Sequence, residues 1–137
     1  MSEPVFLLPY LAVKLLAYSI WCHLGLRWFA PERPHALRSA ISFGTGRLLL
    51  GIGVGLLIFL AALSMNNATR NAPLTYVAIY VPARILEWLL WYRLLRSVPG
   101  GRRAWLWILG GVLVSCLADL PIAVAEHGVV PVGRPFC

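Results

Sequence analysis

Four ionisable side chains, Lys14, Arg84, Glu87 and Asp119, lie inside apolar runs of the chain. Burying such a group in hydrocarbon costs on the order of 2.5 to 3.5 kcal/mol, so groups of this kind face one another or water and not lipid. Arg84 and Glu87 stand at i and i+3, on one helix face. The flexible stem of Lys14 reaches Asp119 if the helices carrying them lie side by side. Two cations and two anions sum to zero. Such a cluster is either a polar binding site within a membrane or a neutral network that locks helices together, and a buried pair is by itself weak evidence of net stability.

Catalytic readings are thin. Glu87 or Asp119 could serve as the acid or base of a lipid-modifying enzyme. Ser115, Asp119 and His127 could line one face of a helix, but the helical rise puts His127 about 12 Å from Asp119 along the axis, too far for a triad. Cys22, Cys116 and Cys137 show no CxxC or Cys/His spacing, so neither a metal nor a cofactor is expected.

The elements that position these residues follow from composition. The 137 residues are 60% hydrophobic and 12% charged, against about 25% charged in soluble domains. An ordinary soluble globular fold is thereby excluded. Four apolar runs approach the ~20 residues that cross a bilayer core: 5–29, 47–65, 74–95 and 104–125. The expected fold is all-α, a single membrane domain over 1–137 built as a four-helix transmembrane bundle. Pro31 and Pro34 stop the first run, 66–73 is a polar turn, and Pro99, Gly100 and Gly101 break the third. The second run is open to extension back to Ala36 as a helical stalk. The first run follows Glu3 and lacks a small-residue cleavage site, so it is expected to stay in the mature protein.

Twelve basic residues against five acidic would suggest nucleic acid in a soluble chain. Their placement argues otherwise. Arg27, Arg33, Arg38 and Arg47 flank the loop 30–46, and Arg93, Arg96, Arg102 and Arg103 flank the loop 96–103, while the other side has only Arg70 and Arg134. Eight against two puts both termini outside and both basic loops in the cytoplasm. No nucleic-acid partner is expected. The excess of Arg over Lys, with abundant Ala, Gly and Leu, is what a GC-rich bacterial genome would produce, and the expected location is a bacterial inner membrane. Trp28, Trp91, Tyr92, Trp105 and Trp107 gather at the proposed cytoplasmic interface, and Tyr10 and Tyr76 lie toward the other.

An internal echo links the first and third runs. At an offset of 70, Tyr10, Lys14, Tyr18 and Trp21 match Tyr80, Arg84, Trp88 and Trp91, a spacing that keeps each set on one helical face. This suggests two helical hairpins related as parallel repeats, although the second and fourth runs give no comparable alignment. Pro9, Pro82 and Pro121 would free the carbonyls of Val5, Ala78 and Leu117, favouring an outward-opening vestibule. Gly51 and Gly55 form a small-xxx-small face for close helix approach, and Gly111, Ser115 and Asp119 make a similar stripe.

The expected function is that of an accessory or interaction subunit. It would bind a partner helix or a lipid headgroup through Lys14, Arg84, Glu87 and Asp119, with Tyr80 and Ser115 beside them. A channel or transporter for a small anionic or amphiphilic substrate is the first alternative, and a lipid-modifying enzyme the second. Membrane lipids are the expected surroundings, with a second copy or a membrane-complex subunit as partner.

Overall fold

The computed structural model describes residues 4–34, 36–64, 76–97 and 99–125, and among these it is all-helical. Helix α1 spans Pro4–Phe29, α2 Ala36–Ser64, α3 Val81–Leu95 and α4 Gly101–Ala125. A π-helical turn, Tyr76–Tyr80, leads into α3, whose Pro82 sits in the first turn. Proline lacks an N–H to return to the carbonyl four residues back, and the wide turn accommodates that gap. Helix α1 runs unbroken through Pro9.

The extent of α2 differs from the sequence expectation. Residues 36–46, expected as part of a loop or as a stalk, form its first three turns and lie against α1. Ala40 and Gly44 face inward, and a methyl group built on Gly44 would meet the Ser19 backbone at 2.8 Å. This is a close helix approach. The Arg, Ser and Thr content that suggested a loop falls on the outer face, where Arg38, Ser42 and Thr45 are exposed. Thr45 returns its hydroxyl to the Ile41 carbonyl at 2.8 Å.

Helix α1 packs against α2 on one flank and α4 on the other; α3 packs on α4 and meets α2 along a narrower seam. The connections at one end are tied together, with Ser97 N donating to Phe29 O at 2.9 Å and Gly100 N to the Tyr92 hydroxyl at 2.8 Å. Gly101, with φ of +49°, takes the left-handed conformation that starts α4 after Pro99 and Gly100.

Polarity is inverted relative to a water-soluble bundle. The buried set contains Lys14, Arg47, Arg84, Glu87, Ser115 and Asp119, whereas Leu8, Leu16, Leu57, Leu86, Leu113 and other large apolar residues cover the outside. Two helical stretches, Leu37–Ile58 and Gly101–Leu120, are long and apolar enough to cross a membrane, with mean hydropathies of 1.8 and 1.5.

Below the charged layer the core is aromatic. Tyr18, Trp88, Trp107, Phe29 and Tyr92 form an edge-to-face chain with centroids 5.1 to 6.1 Å apart. Trp107, Tyr92 and Tyr10, expected toward an interface, are core residues, and among the described members of the expected aromatic belt Trp28 and Trp105 are exposed. The indoles lie on glycines. Trp21 Nε1 donates to Trp107 O and Trp107 Nε1 to Trp21 O, each at 3.0 Å, locking α1 to α4. A methyl group on Gly25 would come within 2.6 Å of the Trp107 ring. Gly25→Ala is therefore expected to cost about 1 to 3 kcal/mol by overpacking. Gly53→Ala, which faces open space, should leave the thermal midpoint in detergent unchanged, and comparing the two midpoints checks the lock.

Candidate functional site

The charged residues meet in one buried cluster. Lys14 of α1 pairs with Asp119 of α4 at 2.6 Å, and the Tyr10 hydroxyl donates to the same Asp119 oxygen at 2.8 Å. The Lys14 ammonium also lies 4.5 Å from the Tyr10 ring centroid. Across the bundle, Arg84 Nη1 donates to Glu87 Oε2 at 3.0 Å within α3. The first juxtaposition was conditional on the two helices lying side by side, as α1 and α4 do; the second was legible from helical spacing.

A fifth member was not. Arg47, counted in the sequence as a loop anchor, sits twelve residues into α2, is fully buried, and donates through Nη2 to Glu87 Oε2. Its guanidinium is held between aromatic faces, 4.9 Å from the Trp88 ring centroid and 5.2 Å from that of Tyr18. The positive-inside count overlooked it because an arginine near the end of an apolar run looks like an anchor wherever its helix starts. With Arg47 included, the described cluster has three cations and two anions.

The cluster leaves hydrogen-bonding capacity in hand. Arg47 Nε and Nη1 and Glu87 Oε1 are buried with no hydrogen-bond partner among the described residues. Buried donors and acceptors of this kind are costly unless satisfied. Gly51 makes room for them: a methyl group there would lie 3.1 Å from Arg84 Nη1 and 3.2 Å from Arg47 Nη1. The space over Gly51, expected to admit another helix, is thus bordered by two guanidinium groups.

Two shallow clefts flank Arg84. One is lined by Lys14, Tyr18, Leu48, Gly51, Ile52 and Arg84. The other lies on the seam between α2 and α3, where Gly55, Tyr80, Arg84 and Glu87 line it. Neither has room for more than about one water molecule, so the cluster is closely packed in this conformation.

The remaining candidates are structural neighbours of this site. Ser115 accepts from Trp88 Nε1 at 3.0 Å and donates to Gly111 O at 2.9 Å. A hydroxyl committed in both directions is poorly placed to act as a nucleophile. The Trp88 ring covers Gly111, where a methyl group would approach to 2.5 Å. Gly111 therefore seats an indole. Ser115 and Gly111 support Trp88, which in turn supports Arg47. His127 lies outside the described residues.

Compared with protein-family models, curated proteins and solved structures, the chain gives no match.

Proposed function

We propose that this is a small integral membrane protein of the bacterial inner membrane. Its four spans place both termini outside, and it binds a partner helix or lipid headgroup through the intramembrane charge cluster. One observation carries the reading: among the described residues, five charged side chains, three cations and two anions, are buried within a bundle whose exterior is leucine-rich. Lipid can cover such an exterior, since burial within the protein spares each charge the cost of facing hydrocarbon. The excess cation suits an incoming anion. Seven of the eight counted arginines remain on the surface, Arg27, Arg33, Arg38, Arg93, Arg96, Arg102 and Arg103, and they keep the bias toward one side that the positive-inside rule uses.

Two parallel hairpin repeats fit the same reading. The matched sets, one on α1 and the other on α3 and the π-helical turn before it, agree in burial position by position. The structure also supplies a register for α2 and α4. Ala40, Gly44, Arg47, Gly51 and Gly55 are buried, as are Ala104, Ile108, Gly111, Ser115 and Asp119, each 64 positions later. Trp21 donates to the carbonyl of Trp107 and lies over Gly110, while Trp91 donates to that of Phe43 at 3.1 Å and lies over Gly46. These partners also differ by 64 positions.

Native mass spectrometry from mild detergent tests the binding reading. Retained lipid or partner that is lost on Arg84→Gln is the expected result; a bare parent chain under mild conditions overturns it. For topology, cysteines introduced at Asn71 and at Gly101, in a background without native cysteines, are expected on opposite sides of the membrane. Equal labelling of both by an impermeant thiol reagent would refute four spans. Asn71 lies outside the described residues.

A further inference from the structure

We infer that the space over Gly51 seats one monatomic anion of water size, which among the halides is fluoride, held by the guanidiniums of Arg47 and Arg84. Such an ion goes beyond the proposed binding of a partner or headgroup, since it sits inside the cluster whatever meets the outside. The register of the buried faces locates the seat. In the half formed by α3 and α4 one acceptor atom, Ser115 Oγ, receives Trp88 Nε1 at 3.0 Å. Seventy positions before Trp88 stands Tyr18, and 64 before Ser115 stands Gly51. A glycine offers no atom in place of that oxygen. Tyr18 and Gly51 instead line a small space, together with Lys14 and Arg84, that admits about one water-sized sphere.

The surroundings donate. Among the described residues, the charged groups lining the space, Lys14 and Arg84, are both cations, and neither Asp119 nor Glu87 lines it. Measured from a methyl position on Gly51, Arg84 Nη1 lies at 3.1 Å and Arg47 Nη1 at 3.2 Å. Arg47 Nη1 is without a hydrogen-bond partner among the described residues, although the side chain is fully buried. Ammonium and guanidinium groups only donate, so the occupant has to accept from several directions at once. A water molecule there would turn its own protons toward cations. An anion accepts from every side, and the apolar remainder of the lining, Leu48 and Ile52, lowers the local dielectric and strengthens the attraction.

Size selects among anions. A carboxylate or phosphate does not fit a space for one atom. Fluoride has nearly the radius of a water molecule, about 1.4 Å, whereas chloride is larger and has to push the guanidiniums apart.

Thermal unfolding in detergent tests the seat, with sodium fluoride compared against sodium sulfate at equal ionic strength, because both salts strengthen apolar burial in general. Beyond the rise in sulfate, the midpoint of the unaltered chain is expected to climb by a few degrees for each tenfold increase of fluoride above its dissociation constant. Chloride is expected to need a concentration about tenfold higher for the same effect. Gly51→Ala puts a methyl group in the seat and should lose the extra rise, while Gly53→Ala, which faces open space, should keep it. Fluorine NMR in the same micelles is expected to show a bound resonance that Gly51→Ala abolishes. Equal midpoints for the unaltered chain in fluoride and sulfate overturn the inference, the space then holding water only. A fluoride response or bound resonance that persists in Gly51→Ala overturns the seat, and a chloride response as strong as that of fluoride overturns the selection by size. If lipid or partner is absent from the native mass spectrum while the fluoride response stands, the proposed binding function falls and the ion site remains; the reverse pattern removes the ion site alone.

Discussion

Glu87→Leu is expected to be the most damaging single substitution in the chain, and adding Arg84→Met is not expected to rescue it. Glu87 Oε2 receives both Arg47 Nη2 and Arg84 Nη1, so its loss strands two buried guanidinium groups at once. Breaking one buried pair typically costs about 3 to 5 kcal/mol, which is a large share of the 5 to 15 kcal/mol that holds a typical domain together. From sequence alone, Arg84 and Glu87 form a closed pair, and removing both should restore stability. The structure changes that expectation. With Arg84→Met and Glu87→Leu together, Arg47 still lies fully buried between Tyr18 and Trp88 without a counter-charge. The triple variant with Arg47→Met should recover most of the loss, since the charges and their desolvation cost leave together. Reversible unfolding in mixed detergent micelles, run over the single, double and triple variants, measures the coupling. A double variant as stable as the parent would show that Arg47 does not depend on Glu87.

Gly51→Leu is expected to come second, at a cost comparable to a broken ion pair. The space over Gly51 is bordered by Arg84 Nη1 and Arg47 Nη1 within about 3.2 Å, and a leucine there must drive both guanidiniums from Glu87 or push α2 off the bundle. Overpacking alone costs about 1 to 3 kcal/mol, and the displaced charges add to it. Gly53→Leu is the matched control, on the same helix with nothing within 4 Å. Thermal unfolding of the two variants side by side gives the comparison. Similar midpoints would mean that Gly51 is not needed to seat the guanidiniums. Gly51→Ala should fall between, as the two nitrogens can yield a few tenths of an ångström.

The sequence by itself determined the class of the molecule and much of its site. Apolar runs too frequent for a soluble domain made the chain helical, and the cost of burying Lys14, Arg84, Glu87 and Asp119 required that they meet. Lys14 with Asp119 was conditional on the first and fourth helices lying side by side, which the packing of α1 on α4 provides, whereas Arg84 with Glu87 followed from helical spacing, a consequence of the period along one helix. The tyrosine, cation and tryptophan stripe on α1 and α3 was legible for the same reason. What only the tertiary structure decided depends on which faces meet. Arg47 resembles an anchor until α2 is seen to begin at Ala36 and turn that residue under Glu87. Gly51 resembles a helix-packing position until Arg84 of the facing helix and Arg47 of its own are seen to border it. Trp107 resembles an interfacial anchor until its indole is seen reaching the Trp21 carbonyl. The register of α2 on α4 is hidden in sequence because its equivalences pair unlike residues: Arg47 with Gly111, and Gly55 with Asp119. Only burial and hydrogen-bond direction, properties of the packed bundle, bring them into line.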